Sequence, residues 1–214
     1  MTKGRIKDPR RVNDFWTQKA RAENFPARSV FKLKEIDQKY GLLRKGARVL
    51  DLGCSPGSWT IYAATRVGPE GLVIGLDLNP PERVLGPPAR FIQADVLEIE
   101  PSTVGETGTF DVILSDMAPK TTGAKSVDQA RSERLARSAL DWSVRLLRPG
   151  GALLVKVFQG PDVDRLILDL KAAFTTVRRV KPKSSRDISP EFFCLGVGFI
   201  NDGANCKARI LGPN

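Results

Sequence analysis

Arg48-Val-Leu-Asp-Leu-Gly-Cys-Ser-Pro-Gly-Ser-Trp59 is the stretch that decides the fold expected for this chain. A short β-branched and aliphatic run leads into two glycines, Gly53 and Gly57, and residues from Trp59 onwards have helical character. Glycines let the backbone approach a ligand closely, and the first turn of a helix offers unpaired N–H groups. The stretch predicts a strand, a glycine loop and a helix that bind a nucleotide-like ligand. An ordinary α/β turn, in which glycine only relieves strain, is the alternative.

The spacing of the two glycines narrows the class of ligand. A dinucleotide-binding loop usually reads G-x-G-x-x-G, whereas Gly53 and Gly57 stand four apart with Pro56 between them. The spacing therefore argues against NAD and FAD. It is similar to the first motif of the Rossmann-like methyltransferases, which bind S-adenosylmethionine in this loop.

Apolar runs with strand character alternate with helical patterns along the rest of the chain, which indicates an α/β fold. A helix is predicted from Ser29, a candidate N-cap, to a stop at Gly41, and Ser126 with Gln129 suggests a capping box at the start of a long helix. The predicted helices after the glycine-loop helix cover residues 127–148 and 162–174. The predicted strands are Gly71–Asp77, Arg90–Asp95, Phe110–Asp116, Ala152–Phe158, Val177–Val180 and Phe192–Ile200.

Three predicted strands end in an acid, at Asp77, Asp95 and Asp116. The carboxyl ends of strands in an open α/β sheet are where ligands of such folds bind. Asp77 lies about 20 residues beyond the glycine loop, at the place where an acid accepts hydrogen bonds from the ribose hydroxyls of an adenosine ligand.

Composition excludes several classes of protein. The 214 residues suffice for one α/β domain, and no histidine is present, which argues against a transition-metal site and against histidine as a general base. The three cysteines are too far apart for a disulfide framework or a C-x-x-C clamp. No apolar run has the length of a membrane span, and the basic amino terminus lacks the apolar core of a signal peptide. We expect a cytoplasmic protein without a metal.

The net charge of +10 is concentrated near the amino terminus, where residues 1–45 hold 13 Lys and Arg against 5 Asp and Glu. Residues 1–28 also contain Phe15, Trp16 and Phe25, and cations interleaved with aromatic rings suit contacts with RNA. The segment 1–28 is therefore predicted to be a basic arm that contacts RNA. Two alternatives remain, a solvated basic tail and an arm that its aromatic residues anchor to the domain. Residues 201–214 show no periodicity and are expected to form a tail.

Four charged residues are candidates to meet at the ligand-binding edge of the sheet, namely Lys32, Asp116, Lys156 and Glu191. Lys156 lies inside the most apolar predicted strand, an unusual place for lysine unless the strand is at an edge or the side chain extends to water. Two cations and two anions offset each other's desolvation, and crowding two ammonium groups lowers the pKa of one of them. A neutral lysine can then act as a base.

These motifs resemble the FtsJ/RrmJ family of S-adenosylmethionine-dependent ribose 2′-O-methyltransferases, from about residue 27 to about residue 200. The resemblance implies a Rossmann-like methyltransferase fold, a mostly parallel open sheet with one antiparallel strand near the carboxyl terminus, in a domain spanning residues 29–200. It also implies a catalytic tetrad of Lys32, Asp116, Lys156 and Glu191. The implied cofactor contacts are Gly53, Gly57, Ser58, Trp59, Asp77, Asp95 and Asp116. The matching stretches are Ala27–Leu33 with Glu35-Ile36, Asp51–Trp59, Leu114–Pro119, Val127–Gln129, Val155–Gly160 and Lys181–Arg186 with Glu191.

The chain departs from the family in its glycine loop, where Cys54-Ser-Pro-Gly-Ser58-Trp replaces the common Ala-Ala-Pro-Gly-Gly-Trp. Both changes are small and should leave binding of S-adenosylmethionine intact. The resemblance favours methylation of a uridine in large-subunit (23S) ribosomal RNA by a monomer, with a tRNA 2′-O-methyltransferase as the alternative. A non-catalytic RNA-binding protein on the same scaffold is the alternative from another class.

Overall fold

Seven strands form a single sheet in the order β3-β2-β1-β4-β5-β7-β6. The computed structural model describes residues 9–106, 108–185 and 189–200, with side chains from residue 15 onwards. Residues 1–8 of the predicted arm, Arg186 and the predicted tail 201–214 lie outside the described residues. The strands are β1 Arg48–Leu52, β2 Leu72–Asp77, β3 Ala89–Gln93, β4 Phe110–Ser115, β5 Leu147–Phe158, β6 Phe174–Val180 and β7 Glu191–Phe199.

All strand pairs among β1 to β5 are parallel, and β7 alone runs against its two neighbours, β5 and β6. The predicted open α/β sheet with one antiparallel strand near the carboxyl terminus is therefore confirmed. Strand order reverses between β1 and β4, which makes the carboxyl ends of these two strands the expected ligand-binding crevice.

Helices cover both faces of the sheet. Two helices, α1 Pro9–Ala22 and α2 Val30–Tyr40, precede β1, and the other three follow strands, namely α3 Ser58–Val67, α4 Lys125–Leu146 and α5 Val163–Ala173. Side chains of α1, α2 and α3 pack with Val49 and Leu154 on one face, and those of α4 and α5 pack with Leu50 and Leu153 on the other. Alternate residues of the central strands thus enter two separate cores, because successive strand side chains point to opposite faces. Among the described helices, none is both long and apolar enough to cross a membrane.

Two predicted helix caps are wrong. Ser29 has helical dihedral angles and makes no capping hydrogen bond with its side chain. Ser126 lies inside α4, which begins at Lys125. The turn before α4 is held instead by Asp128, whose carboxylate accepts bonds from the backbone N–H groups of Thr122 and Gly123. The predicted stop at Gly41 is confirmed, since this residue has a left-handed φ of 62°.

β5 begins five residues earlier than predicted. Pro149, Gly150 and Gly151 lie within the strand, because Leu147 already pairs with Phe110 before the register shifts and Ala152 pairs with Val112. The three residues form an irregular stretch in which Gly150 has a φ of 79°. Residues with turn character therefore interrupt the hydrogen-bond pairing between β4 and β5 without ending it.

A buried carboxylate fastens α2 to α3. Asp37 accepts hydrogen bonds from the Leu43 backbone N–H at 2.7 Å, the Tyr62 hydroxyl at 2.8 Å and the Arg66 Nε at 2.8 Å. Its side chain is fully enclosed, so each of these donors depends on it. This carboxylate therefore fixes the helix that carries Lys32 against the helix that follows the glycine loop.

We expect Asp37→Ala to lower the free energy of unfolding by roughly 3 kcal/mol, because removal of the carboxylate leaves buried donors without an acceptor. Urea unfolding monitored by circular dichroism measures the loss. Asp164→Ala is the matched control, because Asp164 is 92 % exposed in its ion pair with Arg179 and should cost less than about 1 kcal/mol. Equal stability of Asp37→Ala and wild type would contradict the assigned role.

Candidate active site

The glycine loop connects β1 to α3 at the crevice between β1 and β4. The backbone N–H groups of Gly53 and Cys54 both donate to the Leu76 carbonyl, at 2.8 and 3.2 Å, so the loop is attached to the end of β2. Gly53 has a φ of 73°, and a Cβ there would overlap the Met117 side chain. Gly57 has a φ of 107°, and a Cβ there would stand 3.0 Å from Pro81. Both glycines are therefore required by backbone conformation and by space.

Asp77 lies at the end of β2 and faces this loop. Its carboxylate accepts hydrogen bonds from the backbone N–H groups of Ser55 at 3.0 Å and Asn79 at 2.8 Å. A carboxylate has about four acceptor positions, so two remain for a ligand. Asp95 lies two residues beyond the end of β3, and its carboxylate accepts the Leu97 N–H at 2.8 Å.

The side chains of Ser58 and Trp59 point away from the crevice. The Ser58 hydroxyl accepts the Ala27 N–H at 2.7 Å, and the Trp59 indole N–H donates to the Ser29 carbonyl at 2.9 Å. Both side chains are buried, and the Trp59 ring packs on Phe193 with centroids 5.7 Å apart. The side chains of these two residues therefore fasten the segment before α2.

Lys156 is buried near the carboxyl end of β5, with 6 % of its side chain exposed. β5 lies between β4 and β7, which rules out the alternative of an edge strand. The ammonium group also does not extend to water, because its Nζ lies 3.0 Å from Asp116 Oδ1 and donates to the Asp116 carbonyl as well. The cation is thus held at the end of β4.

Lys32 and Glu191 form a second ion pair, with Nζ and Oε1 2.5 Å apart. The register of β5 and β7 places Phe193 opposite Lys156, so Glu191, two residues before Phe193, lies on the same face as Lys156. The Lys32 Nζ stands 5.8 Å from the centre of the Phe193 ring. The structure therefore brings the four predicted residues together as two neighbouring ion pairs.

The electrostatics of Glu191 reflect this arrangement. Burial opposes ionisation of its carboxyl group, but the charge and hydrogen bond of Lys32, helped by the charge of Lys156, lower its pKa below the ordinary value. The buried Ser185 hydroxyl lies near enough to favour the carboxylate, although it stands outside hydrogen-bond geometry and has no other partner in the described part of the chain. Glu191 is therefore a carboxylate at neutral pH.

Asp51 is a buried acid beside the site that the sequence interpretation passed over. Its Oδ2 accepts the Thr60 hydroxyl at 2.6 Å, and its Oδ1 has no hydrogen-bond partner among the described residues. Burial, with smaller contributions from the charges of Asp116 and Asp77, raises the pKa of Asp51 to about 7. An acid within the apolar run Val49-Leu-Asp-Leu52 is the signal that could have identified it.

We expect Asp51→Asn to be more stable than wild type above pH 7, by on the order of 2 kcal/mol, and to lose this advantage as the pH falls towards 4. The folded wild type keeps a proton on Asp51 that the unfolded chain releases above about pH 4, so its stability decreases as the pH rises from 4 to 7. Urea unfolding of both proteins from pH 4 to pH 8 tests this. A stability difference that does not change with pH would contradict it.

An open groove with a volume of about 800 Å³ adjoins the second ion pair. Lys125, Gln129 and Gln159 line it together with Pro190, the residue before Glu191. The Gln159 N–H donates to the Pro190 carbonyl at 2.9 Å, and the Gln129 side chain donates to the Gln159 carbonyl. The groove therefore offers amide and ammonium groups to a polar ligand. Within the described ranges, no three His, Cys, Asp or Glu are arranged to hold a metal ion.

Sequence comparison gives a match to the FtsJ-like methyltransferase family over residues 25–199. A ribosomal RNA large subunit methyltransferase E from Oleidesulfovibrio alaskensis is 48 % identical over 193 residues, which cover 89 % of this chain and 93 % of that protein. The protein of the same name from Desulfatibacillum aliphaticivorans is 49 % identical over 184 residues, which cover 86 % of this chain and 89 % of that one.

Solved structures with the same fold include a Plasmodium falciparum protein described as a ribosomal RNA methyltransferase. It is 28 % identical, with a TM-score of 0.69, and the match covers 82 % of this chain and 98 % of that one. Fibrillarin from Aeropyrum pernix, solved with bound S-adenosylmethionine, is 17 % identical with a TM-score of 0.53, over 73 % of this chain and 68 % of its own. At that identity the likeness to fibrillarin concerns the fold alone.

Proposed function

The chain belongs to the FtsJ-like methyltransferase family, and from that premise we propose that it transfers a methyl group from S-adenosylmethionine to a ribose 2′-hydroxyl of large-subunit (23S) ribosomal RNA, at a uridine. The main support for this reaction is the buried Lys156 ammonium group, which lies beside Asp116 and next to the glycine loop. The relatives named as ribosomal RNA large subunit methyltransferases support the substrate.

The crevice at the carboxyl ends of β1, β2 and β4 fits the methyl donor. Gly53 and Gly57 allow the loop its conformation, because a side chain at either position would crowd Met117 or Pro81, and Asp77 keeps free acceptor positions for the ribose hydroxyls. The backbone of Ser58 and Trp59 at the start of α3 completes this wall, with Asp95 assigned to the adenine side and Asp116 to the methionine end. When bound, S-adenosylmethionine supplies an activated methyl carbon on a sulfonium group.

Lys156 is assigned the role of general base. A ribose hydroxyl is a poor nucleophile at neutral pH, so removal of its proton and alignment of its oxygen are what the protein has to supply. Asp116 holds the Lys156 Nζ in position with its carboxylate and its carbonyl. Lys32 places a second cation on the same side of the sheet, and Glu191 compensates for its charge. To accept the proton of the 2′-hydroxyl, the Lys156 ammonium group must first lose one of its own protons.

RNA is proposed to reach this site along α1 and the open groove. Trp16 packs on Phe31 with centroids 4.9 Å apart, so one aromatic residue of the predicted arm anchors α1 to the domain. Phe15 is 57 % exposed, and Lys19 and Arg21 lie on the exposed side of α1, where they can contact bases and phosphates. The groove lined by Lys125, Gln129 and Pro190, the residue before Glu191, is proposed as a second place of contact with RNA. The monomeric state and the cytoplasmic location stay predictions.

We expect Asp77→Ala to weaken binding of S-adenosylmethionine by roughly 1–3 kcal/mol, because buried ribose hydroxyls lose their acceptor. Isothermal titration calorimetry measures the affinity, and wild type is expected to bind S-adenosylmethionine and not NAD. Asp164→Ala on the exposed side of α5 is the control and should bind like wild type. If Asp77→Ala binds S-adenosylmethionine as tightly as wild type, Asp77 does not bind the cofactor and only holds the backbone of Ser55 and Asn79. Binding of NAD alone would overturn the proposed reaction.

We expect Lys156→Ala to lower the single-turnover rate of methyl transfer by roughly 10²–10⁴, with the affinity for S-adenosylmethionine retained, because the general base is lost. Lys171→Ala, at an exposed position of α5, is the matched control and should keep the wild-type rate. Unmethylated ribosomal large subunits and isolated tRNA are the two substrates. A wild-type rate in Lys156→Ala would assign this lysine a structural role.

The choice of RNA separates the proposal from its alternatives. Transfer to large subunits and not to tRNA supports the proposal, and preference for tRNA would identify a tRNA methyltransferase. RNA binding without any transfer would favour a non-catalytic RNA-binding protein. The arrangement of Lys32, Asp116, Lys156 and Glu191 supports an enzyme, because a protein that only binds RNA has no need for a lysine buried in a central strand.

A further inference from the structure

Glu35 fastens the connection between β6 and β7 to helix α2. Its Oε1 accepts the Lys183 backbone N–H at 2.8 Å, and its Oε2 accepts the backbone N–H of Ser184 at 3.3 Å and the Ser184 hydroxyl at 3.4 Å. These contacts join residues that stand 148 and 149 positions apart in the chain. Because hydrogen bonds to a carboxylate are stronger than those between neutral groups, this is a firm attachment point for an otherwise irregular segment.

The attached segment leads to Glu191. Pro182, Ser184 and Ser185 are buried, so the loop packs against the domain on the α2 side. Ser185 lies beside the Glu191 carboxylate. The position of this loop therefore affects where β7 begins and where the Glu191 side chain lies.

Helix α2 also carries Lys32, which pairs with Glu191. Lys32 and Glu35 are three residues apart, a spacing that places two side chains on the same face of a helix. One turn of α2 thus contacts the β6–β7 connection twice, through Glu35 at the loop and through Lys32 at Glu191. This geometry holds the Lys32–Glu191 pair at a fixed distance from Lys156.

We infer that Glu35 is a positioning residue for methyl transfer, which acts through Glu191 by holding residues 183–185 against α2. This inference rests on the proposed function. Glu35 is not a catalytic residue, because its carboxylate bonds to the loop and not to the crevice. Among the described residues, the groups that face Glu191 are Lys32 from α2, Lys156 from β5 with Asp116 beyond it, and Ser185 from the loop.

A double-mutant cycle with Glu35→Gln and Glu191→Gln tests the inference. Glu35→Gln keeps the size of the side chain but replaces one carboxylate oxygen with an NH₂ group. This donor cannot accept a hydrogen bond, so one of the two loop N–H groups loses its acceptor. We expect Glu35→Gln to lower the single-turnover rate about 10-fold with unchanged affinity for S-adenosylmethionine. In the Glu191→Gln background the same change should have no further effect, since a residue that acts through Glu191 has nothing left to position.

A control variant and a second measurement complete the test. Glu70→Gln is the matched control, because Glu70 is an exposed acid in the turn between α3 and β2 and does not contact the loop. It should keep the wild-type rate. A ¹³C NMR titration of the Glu191 carboxyl group requires no methyl transfer, and the pKa of Glu191 should rise in Glu35→Gln, because Lys32 and Ser185 are no longer held beside it.

Rate losses that multiply in the double variant, or an unchanged Glu191 titration in Glu35→Gln, would overturn the inference. If wild type transfers no methyl group to ribosomal large subunits, the proposed function fails and the titration still decides the role of Glu35. If Glu35→Gln does not fold, Glu35→Asp carries the same cycle and titration, because its shorter side chain withdraws the carboxylate from the loop while keeping its charge.

Discussion

The burial of the Lys156 ammonium group is the constraint on which the rest of the site depends. A cation in a central strand is costly unless it is paired and fully hydrogen-bonded. Asp116 supplies both a carboxylate and a carbonyl oxygen to the same nitrogen, which requires the chain to turn immediately after β4. That turn brings Met117 against Gly53, so the glycine loop cannot carry a side chain at that position. The charge in β5 thus determines the shape of the crevice two strands away.

The segment before α2 is a structural part of this crevice. Ala27 and Ser29 are bonded to the side chains of Ser58 and Trp59, and the Arg83 guanidinium donates to the Asn24 carbonyl at 2.7 Å. The segment therefore contacts both the helix after the glycine loop and the loop after β2. The α1 surface that we propose to contact RNA is in this way connected, through a few hydrogen bonds, to the residues proposed to bind the methyl donor.

The features of the fold that depend on neighbouring residues could be predicted from the sequence. The order of strands and helices, the glycine loop and the acids at strand ends all follow from hydrophobic periodicity and turn residues. Lys156 was identifiable because its chemistry contradicts its apolar neighbours. Asp51 shows the same signal as Lys156, a charged residue within an apolar run, and was overlooked. Glu35 was missed because its role depends on partners distant in the chain, such as Lys183. The capping prediction at Ser126 failed because Asp128, two residues later, holds the same turn.

The sheet cannot be completed during synthesis until β7 has been made. β7 is the last of the described strands in sequence, yet it lies between β5 and β6 in the sheet. A ribosome that has released only the first six strands leaves β5 with an unpaired edge and β6 without its neighbour. Glu191, the first residue of β7, is also missing at that stage. The Lys32–Glu191 ion pair therefore forms only after β7 has been synthesised, so a nascent chain that ends before β7 lacks this pair.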